Sequence, residues 1–291
     1  MNRHPRVFLK AILMLTAMTT ALPFVPAADG AEALTMGIFP RRNAATTMKL
    51  FKPMALYLEQ HLGRQVKLIL SKDFASFWKG VTERKYDIVH FNQYHYIKSK
   101  KEFGYEVILK NEEFGNDTIT GSIVVRTDSG IRTVADLKGK EVLFGGGPQA
   151  MQSYIYARYL LHQGGLKQGD YIEKFAKNPP NAVVATYYKK APAAGTGDVV
   201  LDLPVVTQQI DRKKLRYLVR GKPYAHLVWA IRNDIDTETR NKVQQILSTL
   251  RDSEEGRAIL KAAKLTGLNI ATDADYDPHR RIVKEVLGED Y

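Results

Sequence analysis

Three glycines and a proline, Gly145-Gly146-Gly147-Pro148, follow an apolar run at residues 142–144 and precede a long helical stretch. Without Cβ atoms, such a turn brings backbone N–H groups close to a ligand. Pro148 sits where the first helical position is expected. The helix start behind it carries unsatisfied donors and the positive end of a dipole, which suits an anion. Arg41 and Arg42 can neutralise an oxyanion through charge-assisted hydrogen bonds, and Arg42 is the one expected in the site. Asn43, Asn92, Gln93 and Gln149 supply neutral donors and acceptors that orient a ligand. The ordinary roles of the same residues are turns, helix caps and solvated charge.

These groups need a scaffold that gathers them. Strands alternate with helical patterns, the sign of βαβ units and a mostly parallel sheet. Strands are expected at residues 34–39, 66–70, 87–91, 106–110, 123–125, 142–144, 172–175, 199–203, 215–219 and 228–232. Helices are expected at 45–61, 74–84, 94–104, 182–188, 238–250, 254–264 and 279–287. The chain crosses into a second lobe near 116–120 and returns near 223–227. The expected fold is α/β, with lobe 1 at 34–120 and 225–291 and lobe 2 at 121–224. Two crossings make a hinge, and the ligand cleft lies between the lobes at strand C-termini. The segments after the strands are then the candidates: 39–43, Lys72 to Ser76, 91–96, 145–153, 178–181 and Asp202.

The wording of several segments goes further. TDSGIRTVADLKGKEVLF resembles the signature that opens the second lobe in the phosphate/phosphite/phosphonate-binding family of ABC-transporter periplasmic solute-binding proteins (type II). FKPMALYLE at residues 51–59, KYDIV at 85–89 and LRDSEEGRAIL at 250–260 are similar to three further family motifs, in the family's order. The resemblance implies the two-lobed type II fold, hinge closure on a small anionic solute, an ABC permease as partner, and no cofactor. The open turn itself gives Gly146 and Gly147 an expected ligand role, and the resemblance implies ligand roles for a tyrosine after the third strand and for a carboxylate near Asp202. Tyr94 is preferred for the tyrosine, with Tyr96 close behind. The ligand motif departs from the family's: GGGPQAMQSY stands where a Ser-Thr pair normally donates hydroxyls, and Ser153 lies a turn later. Asn178 or Asn181 stands where the family often has a histidine facing the ligand. An acidic Asp202 leaves room for zwitterionic ligands such as aminophosphonates.

Arg3, Arg6 and Lys10 precede an apolar run at 11–25, too short for a membrane span, and small residues follow. Residues 1–33 therefore read as a secretory signal peptide. The chain has no cysteine, which excludes disulfides, thiolate metal sites, a cysteine nucleophile and a lipoprotein anchor. A soluble periplasmic protein, most simply a monomer, is expected. Removing three basic and two acidic residues with the leader leaves 40 Lys and Arg against 29 Asp and Glu, net +11. That charge steers anions; for an exported protein, nucleic acid is an unsuitable partner. His90 and His95 lack a third ligand at metal-site spacing, so no metal is assigned. No Ser-His-acid arrangement is visible, and an enzyme is not expected. The alternative to transport is a sensor subunit presenting its ligand-bound form to a membrane kinase or cyclase.

Overall fold

The computed structural model describes residues 32–291; the signal peptide read over 1–33 lies outside the described residues except for its last two positions. The chain runs β1 (Leu34–Ile38), α1 (Ala44–Leu62), β2 (Val66–Leu70), α2 (Phe74–Thr82), β3 (Ile88–Phe91), α3 (Gln93–Phe103) and β4 (Tyr105–Glu112). It then crosses through β5 (Thr118–Ile119) to β6 (Gly121–Arg126), β7 (Glu141–Gly145) and a π-helical turn, Met151–Tyr156, that continues into α4 (Ala157–Gln163). β8 (Ile172–Ala176), α5 (Pro179–Tyr187), β9 (Ala193–Gly197), α6 (Pro204–Thr207) and β10 (Leu215–Arg220) follow. The chain returns through β11 (Tyr224–Ala225) to β12 (Val228–Arg232), α7 (Thr237–Ser248), α8 (Glu254–Ala263), β13 (Gly267–Ile270) and α9 (Asp277–Leu287).

Two sheets result, in the orders β13-β4-β12-β3-β1-β2 and β10-β6-β9-β7-β8. They form the cores of two lobes, and the two crossings are zipped together by antiparallel pairing of Tyr224 with Ile119 and Ala225 with Thr118. The periodicity of α1 explains its place: Leu50, Phe51, Met54, Ala55 and Leu58 form one buried face, and Gly63 ends the helix in the left-handed conformation. β12 is buried on both sides, with Trp229 fully enclosed and its Nε1 donating to Asn111 Oδ1 at 2.9 Å.

The sheets are mixed, not mostly parallel. β12 runs antiparallel to both β3 and β4, and β6 antiparallel to both β9 and β10, because each of these strands adjoins a crossing between lobes. The strand expected at 199–203 is a 3-10 turn, Asp198–Asp202. The strand is instead β9, whose AAGTG is fully buried between β6 and β7. Strand propensity favours the valines, but packing overrides it here. A Cβ on Gly195 would lie 2.4 Å from a Phe144 ring carbon and 2.6 Å from the Ser153 carbonyl oxygen, so only a small strand fits. Pro148 lies in a turn closed by Ala150 N donating to Gly147 O, and the helix starts at Met151.

Candidate ligand site between the lobes

A cavity of about 90 Å³ lies between the lobes. It has room for roughly half a dozen water-sized groups, the scale of a small oxyanion with a short substituent. From lobe 1 it is lined by Phe39, Pro40 and Arg41 after β1, Phe74 at the start of α2, and Asn92 and Gln93 after β3. From lobe 2 come Gly145 and Gly146 after β7, residues 150–153, Lys177, Asn178 and Pro179 after β8, and Gly197, Val199 and Val200 after β9. Ile119 and Leu227 close it at the crossings. The strands β1, β2, β3, β7, β8 and β9 contribute through the segments after their C-terminal ends, so helix starts converge on one space.

That convergence sets the electrostatics. α2, α3, the π turn leading to α4, and α5 all place a cap or first-turn residue on the cavity wall. First-turn N–H groups have no partner within their helix and carry the positive end of its dipole. α5 gives mainly dipole, because it opens on Pro179 and Pro180, which have no N–H. Gly146 has φ of 99°, a backbone that side-chain-bearing residues rarely adopt, and its N–H is spent on Ala176 O at 2.9 Å. Its role is to turn the chain so that residues 150–153 face the cavity.

Of the two basic side chains on the wall, Lys177 is exposed and Arg41 is committed. Arg41 Nη1 donates to Glu113 Oε1 at 2.9 Å, and Asn111 Nδ2 donates to the same oxygen at 3.3 Å. Burial pushes the Glu113 carboxyl up, but Arg41, His226 and Arg42 outweigh it and hold it at about 2. Arg42 does not line the main cavity. It lies with Thr47, Phe51 and His90 on a small neighbouring void, and burial followed by the Arg41 charge lowers its pKa to about 10. The arginine on the cleft is therefore Arg41, not Arg42.

The expected site residues divide. Asn92, Gln93, Gly146 and Ser153 line the cavity. Asn92 is already occupied: its Oδ1 caps α3 by accepting from His95 N at 2.8 Å, and its Nδ2 donates across the cleft to Gln149 O at 3.0 Å. Gln149 sits beside the cavity as an inter-lobe clasp, its Oε1 also 3.0 Å from His95 Nε2. Ser153 Oγ donates to Gly145 O. Gly147 only closes the turn.

The remaining residues lie elsewhere, for physical reasons. Asn43 is the exposed cap of α1, accepting from Thr46 N at 2.8 Å. Tyr94 and Tyr96 leave the cleft for the C-terminal segment: Tyr94 Oη donates to Glu289 Oε2 at 2.8 Å and Tyr96 Oη to Asp273 Oδ1 at 2.6 Å. Asn181 is an exposed first-turn residue of α5 whose N–H is taken by the cap Asn178. Asp202 is the exposed last residue of a 3-10 turn, with Arg212 at 3.9 Å, because the strand expected before it is not there. The apolar walls Phe39, Phe74, Met151, Val199, Val200 and Leu227 carry no chemical signal in sequence, and Gln152 stood unremarked inside the glycine-loop segment.

Two polar atoms stand out. The Oε1 atoms of Gln93 and Gln152 are buried without a hydrogen-bond partner among the described residues. Leaving such an acceptor unfilled costs about 1–3 kcal/mol.

The fold is that of several solved binding proteins. PhnD1 from Prochlorococcus marinus (MIT 9301), solved with methylphosphonate, matches with a TM-score of 0.77 at 15% identity, over 88% of this chain and 99% of that one. A binding-protein component of an ABC phosphonate transporter from Pseudomonas aeruginosa gives 0.75 at 16%, over 88% and 86%. The periplasmic aliphatic sulphonate binding protein SsuA from Escherichia coli gives 0.58 at 17%, over 89% and 88%. No described helix is long and apolar enough to cross a membrane. The family model described as "ABC transporter, phosphonate, periplasmic substrate-binding protein" matches residues 36–276, and the chain belongs to that family.

Proposed function

We propose that this protein captures a small phosphorus oxyanion of the phosphonate class between its lobes and delivers it to an ABC permease. The observation that carries this reading is the convergence of four helix starts on one small cavity with apolar walls. Backbone N–H groups and helix dipoles hold the anionic head. Phe39, Phe74, Met151 and Leu227 suit a short carbon substituent. Arg41, paired with Glu113, contributes little net charge, so affinity comes mainly from oriented donors, with the exposed Lys177 adding positive charge at the wall.

In this reading the lobes at 34–120 with 225–291 and at 121–224 close about the crossings zipped by β5 and β11. Arg42, Asn43, Tyr94, Tyr96, Gly147, Asn181 and Asp202 shape the protein around the site without touching ligand; Asn92, Gln93, Gly146, residues 150–153 and Gln149 form it. The chain is exported by removal of residues 1–33, acts as a soluble periplasmic monomer without a lipid anchor, and performs no chemistry on its ligand.

A thermal-shift screen of the purified protein tests it, using phosphate, phosphite, methylphosphonate, 2-aminoethylphosphonate and sulfate. A ligand that binds only the folded state raises the melting temperature with its saturation, by about 2.7 kcal/mol of stability at 100 times Kd. A clear rise with a phosphonate is expected. Absence of any rise with all five anions would overturn the assignment.

A further inference from the structure

Resting on the phosphonate reading, the two glutamines of the cavity wall say more about the ligand. Gln93 is fully buried, and its Nε2 donates to Ala225 O at 3.1 Å. That bond fixes the orientation of the amide, so Oε1 is the polar atom of Gln93 left without a partner. Gln152, nine-tenths buried on the opposite lobe, sets its Nε2 3.3 Å from His279 Nε2, and its Oε1 is likewise unpartnered among the described residues. Two residues of the cavity wall, on opposite lobes, thus carry neutral acceptors without a partner among the described residues, and no carboxylate lines the cavity. A fully ionised oxyanion has only acceptors, which would leave both oxygens unpaired and facing negative charge. An ammonium group would find no counter-charge there. The group that fits is a neutral hydroxyl carried beside the anionic oxygens.

We propose that Gln93, opposed by Gln152, selects ligands that bring a hydrogen donor into the cavity: the singly protonated oxyanion, R–PO₂(OH)⁻, in preference to aprotic anions of the same shape. The helix starts take the anionic oxygens and Gln93 Oε1 takes the P–OH hydrogen. Sites that hydrogen-bond a ligand hydroxyl discriminate strongly against analogues lacking it, because the site's buried polar group is then left unpaired.

Calorimetric titration of the whole protein with methylphosphonate and methanesulfonate, below the second ionisation of methylphosphonate, isolates this feature. Both are then monoanions with a methyl group, and only the phosphonate carries a hydroxyl. Methanesulfonate is expected to bind at least about 100-fold more weakly. In Gln93→Met the ratio should collapse towards one, chiefly through weaker methylphosphonate binding. If that variant fails to fold, the native protein supplies the second measurement: methylphosphonate affinity should fall as pH rises through its second ionisation, which removes the hydroxyl, and an affinity unchanged across that step overturns the donor requirement. Equal affinity for the two anions in the native protein overturns the donor requirement while leaving anion capture standing. A ratio that survives intact in a folded Gln93→Met protein also overturns it. Failure of both anions to bind would refute the phosphonate reading and this inference with it.

Discussion

The two walls of the cavity are made of different material. On the lobe 1 side, the polar side chains are largely committed: Arg41 to Glu113, Asn92 to the α3 cap and Gln149, and Gln93 Nε2 to Ala225 O. On the lobe 2 side, small residues and backbone, with Gly145, Gly146, Ala150 and Gly197, surround the start of the π turn beside the larger Met151, Gln152 and Val199. A wall of mutually paired side chains is a rigid plate, and its pairing energy goes into stability. A wall of exposed backbone donors lets a ligand approach closely and puts its energy into binding. Disturbing lobe 1 should therefore move the melting temperature first, and disturbing the lobe 2 loop should move affinity first.

Acid should separate the lobes most. His90, His226, His95 and His279 are fully buried, and burial above all lowers their pKa values, to about 3 for His90 and His279 and about 4 for His95 and His226. All four fall within the lobe 1 bounds, whereas His162 of lobe 2 is half-buried. Their folded pKa values lie below the ordinary value of 6.5, so below that pH the unfolded chain binds more protons than the folded one. Their stability is complete above about 6.5 and is lost as pH falls towards the folded values, by up to about 1.4 kcal/mol per histidine per pH unit. Glu113, held at about 2, adds a loss in the same direction between its ordinary 4.5 and about 2. The melting temperature should fall steeply between about pH 6.5 and about pH 4, and hydrogen exchange should find lobe 1 amides losing protection first. A flat profile over that range would mean that these rings are not held buried and neutral.

The lobe 2 wall is tested by its backbone. Gly146→Val forces a β-branched residue into φ of 99°, a strain of about 1–3 kcal/mol, although an added Cβ meets nothing closer than Ala150 Cβ at 3.3 Å. The fold should survive, and the loop should relax away from the geometry that aims residues 150–153 at the cavity. Affinity for the bound anion should fall about tenfold, equivalent to about 1.4 kcal/mol. Gly147→Ala is the control: an added Cβ has open space there, and Gly147 is not among the residues with positive φ. Equal losses from both substitutions in a titration would show that the loop acts through bulk and not through its turn.

The contrast between the walls also explains what could be read in the sequence. Elements with a clear apolar period, such as α1 with Leu50, Phe51, Met54 and Leu58, fall within a residue or two of their expected bounds. The motif-bearing segments place the family and the two-lobed fold. What escaped was set by close packing: AAGTG is a strand because Phe144 and the Ser153 carbonyl leave no space for side chains, a tertiary fact without local signature. That one displacement moved Asp202 from a strand end to the exposed last position of a turn. For the site, residue type alone cannot distinguish an asparagine that meets ligand from one that caps a helix, and Asn43, Asn92 and Asn178 all cap helices. The backbone donors that replace the family's hydroxyls have no letter in the sequence at all.

The smallest expected effect draws the line between the walls most sharply. Tyr94 sits one residue past Gln93, at the start of the same helix, yet its hydroxyl bonds Glu289, which also accepts from Tyr291 Oη at 2.7 Å. Burial and the adjacent carboxylate push its pKa well up, so the hydroxyl remains a donor at any working pH. Tyr94→Phe keeps the ring among its aromatic neighbours His95 and Tyr291 and removes one hydrogen bond. The cost should be about 1 kcal/mol of stability, a shift of a few degrees in melting temperature. Ligand affinity should not change, because the ring faces the C-terminal segment and not the cavity. A loss of affinity without loss of stability would put Tyr94 on the ligand after all, and would mean that α3 turns when the lobes close.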